Sequence, residues 1–95
     1  MKPLISIIMG STSDLPVMEK ACKWLEAQEI PFEINALSAH RTPDAVESFA
    51  TEAKTRGIKV LIAGAGMAAA LPVVIAASTL LPVIGVHIKG LLDVL

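Results

Sequence analysis

Apolar residues along this chain recur in two alternating rhythms, and the switches between them outline its elements. Leu4-Ile5-Ser6-Ile7-Ile8-Met9 is short, apolar and rich in β-branched residues, which predicts a buried strand. From Asp14 to Gln28 the spacing becomes helical: Met18, Ala21, Cys22 and Leu25 share one face, and Glu19 and Lys23 form an i,i+4 pair on another. Pro31 to Leu37 alternates as a second strand, with Phe32, Ile34 and Ala36 on one side. A second helix follows, with Thr42 as a hydroxyl N-cap and Pro43 at the first helical position. Its stripe is Val46, Phe49, Ala50 and Ala53, Glu52 and Arg56 form its i,i+4 pair, and Gly57 ends it at C′. Val60 to Ala63 predicts a third strand, and Gly64 to Met67 a loop of small residues. Ala68 to Ser78 predicts a third helix, in which Pro72 is tolerated only near the first turn. Pro82 to Val86 predicts a fourth strand, and Lys89 to Leu95 has the character of a further helix start.

Strands alternating with helices imply an α/β domain: a parallel sheet with right-handed crossovers and helices on both faces. At 95 residues the chain forms one small domain, residues 1–95. The loops after Met9, Leu37 and Ala63 then fall at one sheet edge, the edge where open α/β sheets bind ligands.

The apolar fraction, 54%, is high for so small a domain. The excess lies in the second half, where no Asp, Glu, Lys or Arg occurs between Lys59 and Lys89. A membrane span is not expected, because Gly64, Gly66, Pro72, Pro82 and Gly85 cut the run into short pieces. Strands buried on both faces explain most of it. The remainder is a surface in need of a partner, which predicts a homo-oligomer through the apolar C-terminal half. A formal net charge of −1 gives no reason to expect nucleic acid. The single cysteine, Cys22, cannot form an internal disulfide, and the Leu4–Met9 run is too short for a secretion signal, so a cytoplasmic setting is expected.

Candidate chemistry concentrates at the predicted loops. His40 and Arg41 lie side by side in Ser38-Ala39-His40-Arg41-Thr42-Pro43: a group titrating near neutrality beside a cation that matches phosphate or carboxylate. Taken alone, the pair reads equally well as an ordinary polar loop. Ser11, Ser13 and Asp14 offer hydroxyls, backbone N–H groups and an acid able to accept from ligand hydroxyls, although Ser13 or Asp14 serves as well as a plain N-cap. Gly64 and Gly66 permit close backbone approach, but the dinucleotide fingerprint is missing, with Ala at position 69. The phosphate-loop lysine and a serine-hydrolase elbow are absent, and no Cys/His set has zinc-ligand spacing, so no metal is expected. Met67 reads as packing and His87 as incidental. Together these residues suit a small anionic ligand such as a sugar phosphate or nucleotide, and chemistry by proton transfer.

Three stretches in order carry a resemblance: Met9-Gly10-Ser11-Thr12-Ser13-Asp14, Ser38 to Pro43, and Ala63-Gly64-Ala65-Gly66-Met67-Ala68-Ala69-Ala70-Leu71-Pro72. They resemble the N5-carboxyaminoimidazole ribonucleotide mutases of purine biosynthesis, the class I phosphoribosylaminoimidazole carboxylase catalytic subunits. The resemblance implies a flavodoxin-like three-layer sandwich, here shortened to about four strands, with high-order self-association and no cofactor. It implies that His40 is the acid/base that protonates the carbamate nitrogen as carbon dioxide leaves, then removes the ring-carbon proton after recarboxylation. It also implies substrate binding by Ser11, Asp14 and Arg41, with Arg41 on the phosphate and Asp14 on the ribose hydroxyls. Ser13, Ser38, Ala39, Gly64 and Gly66 would shape the pocket.

Several positions depart from the family pattern. Ala70 stands where many members have His, Val74 where Gly is usual, and His87 where Pro is common. Members continue for about half as much chain again, so the chain is expected to lack the family's C-terminal part. The alternative to a working mutase is therefore a catalytically impaired, truncated or engineered fragment that self-assembles or binds ligand. A flavin carrier is a weaker third reading, since the first loop has no aromatic residue to stack on a flavin.

Overall fold

The computed structural model describes residues 2–38, 41–65 and 70–88. The predicted final helix start, Lys89 to Leu95, lies outside the described residues. The elements are β1 (Ile5–Met9), a 3-10 turn (Thr12–Asp14), α1 (Leu15–Ala27), β2 (Phe32–Ala36), α2 (Pro43–Ala53), β3 (Val60–Ala65), α3 (Ala70–Ala77) and β4 (Val83–His87). All three strand pairs are parallel, in the order β2-β1-β3-β4. That order is the flavodoxin-like one, with the chain reversing direction across β1.

The two central strands are apolar on both faces, which is why they read as unbroken apolar runs. Ile7 and Met9 pack beneath α1 with Met18, Leu25 and Ile88. Ile8, Leu61 and Ala63 face the other way, toward Val46, Ala50 and Ala53 of α2 and Leu71 and Ile75 of α3. Burying each of the larger side chains stabilises the fold by about 1.5–3 kcal/mol. Ile5, Ile7 and Met9 of β1 stand opposite Phe32, Ile34 and Ala36 on one side and Val60, Ile62 and Gly64 on the other. The exits of β1 and β2 thus lie side by side, and a hydrogen bond from Leu37 N–H to Met9 O (2.8 Å) ties them together.

Four features differ from the sequence reading. Helix α1 begins only at Leu15, because the residues before it close a 3-10 turn first. Strand β3 runs on through Gly64 and Ala65, so Gly64 is a strand residue paired with Met9 and Val86 instead of a loop residue. Ile34 and Ala36 are exposed, since α1 covers only the start of this edge strand, where Phe32 packs against its cluster; on the opposite face Glu33 and Asn35 are engaged in hydrogen bonds. Arg56 forms its ion pair with Glu33 (Nη2 to Oε2, 2.7 Å) instead of with Glu52, which contributes only a weaker attraction without a close contact. Among the described residues, no helix is long and apolar enough to cross a membrane.

Candidate functional site

Two loops build the site. After β1, Ser11 adopts extended backbone and its Oγ accepts from Ser13 N–H at 3.3 Å, with the two hydroxyls 3.0 Å apart. Asp14 N–H closes the turn onto Ser11 O at 3.0 Å. Asp14 then occupies the N-cap position of α1, but its carboxylate caps nothing. An N-cap acid not engaged by its own helix keeps its acceptor oxygens available.

The second loop is organised by Ser38. Its Oγ accepts from Arg41 N–H at 3.1 Å. Its carbonyl accepts from both Thr42 N–H (2.9 Å) and Thr42 Oγ1 (3.0 Å). Thr42 is the N-cap of α2 and Pro43 begins the helix, as the sequence implies, yet the hydroxyl acts as a donor to Ser38 instead of accepting from the first turn. The backbone carbonyl of Thr42 still accepts the first helical bond, from Val46 N–H at 3.1 Å. Ser38 therefore anchors the backbone of Arg41 and Thr42, and Arg41 is exposed.

Between the loops is a cavity of about 330 Å³, walled by Gly10, Ser11, Thr12, Ala36, Ser38, Arg41 and Thr42. Arg41 is the only charged residue of that described wall. A guanidinium, two loop hydroxyls and the start of a helix suit an anion of phosphate type. A slightly larger cavity, about 390 Å³, lies between Thr51, Lys54 and Ala77 to Leu80. It adjoins the C-terminal ends of α2 and α3, whose carbonyls disfavour anions.

The structure brings Ser11, Ser38 and Arg41 to one wall. Ser13 stands behind Ser11 through their hydroxyl contact. Asp14 is at the head of α1, outside that wall, and Gly64 is buried within β3. His40, Ala39 and Gly66 lie outside the described residues, as does Met67. Gly10, Thr12 and Ala36 join the wall without having been singled out from sequence. Their signal was position alone, each following or ending a strand at the carboxyl edge of the sheet.

Among the described residues no group of three or more His, Cys, Asp or Glu side chains is placed to hold a metal ion. Cys22 is a free thiol on α1. Burial, with Glu26 and Glu19 adding, pushes it above its ordinary pKa, so it is not an activated nucleophile.

The AIR carboxylase family model matches residues 4–94, nearly the whole chain. The chain belongs to the AIR carboxylase family. It is 62% identical over 89 residues to a phosphoribosylaminoimidazole carboxylase of Candida glabrata, covering 94% of this chain and 16% of that protein. It is 59% identical over 89 residues to an N5-carboxyaminoimidazole ribonucleotide mutase of Pyrococcus horikoshii, covering 94% of this chain and 50% of that one. A Bacillus subtilis protein of the same mutase name is 55% identical over 90 residues, with 56% of its length covered. The chain thus spans about half the length of the curated mutases it matches and a smaller part of the yeast carboxylase. The family assignment agrees with the three loop motifs, all of which fall inside the matched residues.

Proposed function

We propose that this chain carries the substrate loops of an N5-carboxyaminoimidazole ribonucleotide mutase and acts in purine biosynthesis. The observation that carries the reading is the meeting of Ser11, Ser38 and Arg41 around one cavity, at the sheet edge of a family member. In this reading Arg41 holds the substrate phosphate, Ser11 lies beside it on the cavity wall, and Ser13 supports Ser11 through their hydroxyl contact. Asp14, whose carboxylate is not spent on capping, accepts from the ribose hydroxyls. Ser38 holds the Arg41 turn in place, and Ala39 and Gly66 shape the remaining surface.

His40 immediately precedes Arg41 in sequence and supplies the proton chemistry. It donates a proton to the exocyclic nitrogen as the nitrogen–carboxylate bond breaks and carbon dioxide departs. The ring carbon attacks the retained carbon dioxide, and His40 then takes the proton from that carbon. The net change is an isomerisation, with no electron gained or lost, so it needs no cofactor. One group near its pKa can both give and take the proton. Self-association of copies through the apolar second half would help exclude water from the site.

The test is conversion of N5-carboxyaminoimidazole ribonucleotide to the ring-carboxylated product by this chain and by His40→Asn and Arg41→Ala. The parent should turn over. His40→Asn should lose at least ~100-fold in kcat, the scale of general acid–base catalysis. Arg41→Ala should mainly raise KM, by about tenfold or more, as loss of a charge-assisted contact does. A folded parent that binds the substrate without converting it would sink the mutase reading and leave a ligand-binding module.

A further inference from the structure

We infer that Gly64 is a positioning residue: its missing side chain seats α1 against β3 and thereby sets the Ser11–Asp14 turn. The inference deepens the site proposed above and rests on that reading for its ligand. In β3 the side-chain direction alternates, so position 64 shares a face with Ile62 and looks toward α1. A Cβ placed on Gly64 would lie 2.6 Å from Met18 Sδ, 3.1 Å from Met18 Cε and 2.9 Å from Ile88 Cδ1. Those contacts are too short, so any side chain there must displace both Met18 and the tip of Ile88. The space a glycine leaves is already filled by protein, and close approach of ligand is not what it serves.

Met18 is in the first turn of α1 and is 1% exposed. Its thioether is the plug that fixes how near the head of the helix comes to the sheet. The 3-10 turn that holds Ser13 and Asp14 runs straight into this helix, and Ser11 is bonded back onto that turn. Gly64 itself stands opposite Met9, the last residue of β1 before the same loop. Strand, loop and helix are therefore gauged at one point. A methyl group at position 64 would lift the helix head and carry the substrate hydroxyls and the Asp14 carboxylate with it.

The test uses three forms of the 95-residue chain: the parent, Gly64→Ala, and Gly64→Ala with Met18→Val, which removes the Sδ and Cε atoms of the helix and leaves only the terminal Ile88 methyl, free to turn aside, near the added group. Backbone amide spectra report the positions of Ser11, Ser13 and Asp14, and ribose 5-phosphate is the titrated probe. Gly64→Ala should shift those three amides while leaving Lys59 and Thr79 in place, and should weaken the probe at least fivefold. The double variant should return the amides toward the parent and restore binding to within twofold. Weakened binding that the Met18 change does not restore would overturn the inference and make Gly64 a direct wall of the site. Unmoved amides with unchanged binding would overturn it as well. If Gly64→Ala alone does not fold, a folded double variant with parent-like Ser11–Asp14 amides supports the inference, and an unfolded double variant overturns it. A parent that binds no ribose 5-phosphate counts against the proposed ligand only, since the amide shifts still read the seating of α1.

Discussion

Glu33 gathers donors from three parts of the chain. Its carboxylate accepts from Ser6 Oγ at 2.7 Å, Asn35 Nδ2 at 3.0 Å, and both Arg56 Nη atoms at 3.0 and 2.7 Å. Arg56 also lies over the Phe49 ring, 5.3 Å from its centre. Ser6 is fully buried, so the network satisfies a polar group on a central strand that would otherwise be costly. The Arg56 guanidinium, above all, pulls the Glu33 carboxyl down to about 2, with Ser6 and Asn35 helping against the opposing effect of burial. A carboxyl lowered on folding stabilises fully above its unfolded pKa. That contribution fades as pH falls from about 4.5 toward 2. Arg56 is partly exposed, so solvent screens much of the nominal gain. Glu33→Gln should therefore lose about 1–2 kcal/mol at pH 7 and almost nothing near pH 2. Urea midpoints at the two pH values check this, and a difference that persists in acid would mean shape and not charge was lost.

Both long helices end in the same backbone motif with different residues at its key position. After α2, Gly57 has φ +94°, Ile58 N–H reaches Ala53 O at 3.1 Å, and Gly57 N–H reaches Lys54 O at 3.0 Å. After α1 the equivalent bonds are Ile30 N–H to Leu25 O and Glu29 N–H to Glu26 O, both 3.0 Å, with Glu29 at φ 58°. This is the Schellman ending, whose left-handed residue is normally glycine. A side chain in that region costs about 1 kcal/mol. Glu29→Gly should accordingly raise stability by roughly 0.5–1 kcal/mol. Gly57→Ala should lower it by about 1 kcal/mol, although a Cβ there would meet nothing within 4 Å, because the penalty is in the backbone alone. Thermal melts of the two variants should move in opposite directions, and matching shifts would refute the argument.

The molecule as a whole is unevenly covered. Among the described residues, two helices lie over one face of the sheet and only α1 over the other. On the α1 side Ile84 is 53% exposed and Ile34 37%, although both sit on strands. If copies associate through this surface, Ile84→Thr should lower the sedimenting mass while changing stability by less than about 1 kcal/mol. Ile75→Ala, on the fully covered face, should instead cost about 2–5 kcal/mol. An unchanged mass for Ile84→Thr would place the contact elsewhere.

Local rules made much of this legible. Apolar rhythm located every described strand and helix to within a few residues, because burial on one face or two leaves a period in the sequence. The three loop motifs marked the family, and Thr42-Pro43 marked a helix start, because capping is a matter of neighbours. What neighbours cannot specify was left to the tertiary structure. Glu52 and Arg56 are one turn apart, but Glu33, 23 residues away, took the guanidinium, since the sheet brought it a second and third partner. Phe32, Ile34 and Ala36 alternate as if buried, yet only Phe32 reaches the α1 cluster, because a strand's place in the sheet decides how much of it a helix covers. Gly64 read as a loop residue open to close backbone approach because its neighbours are small. That its space belongs to Met18, 46 residues earlier, depends on how closely a helix lies against a strand, and only packing in three dimensions sets that distance.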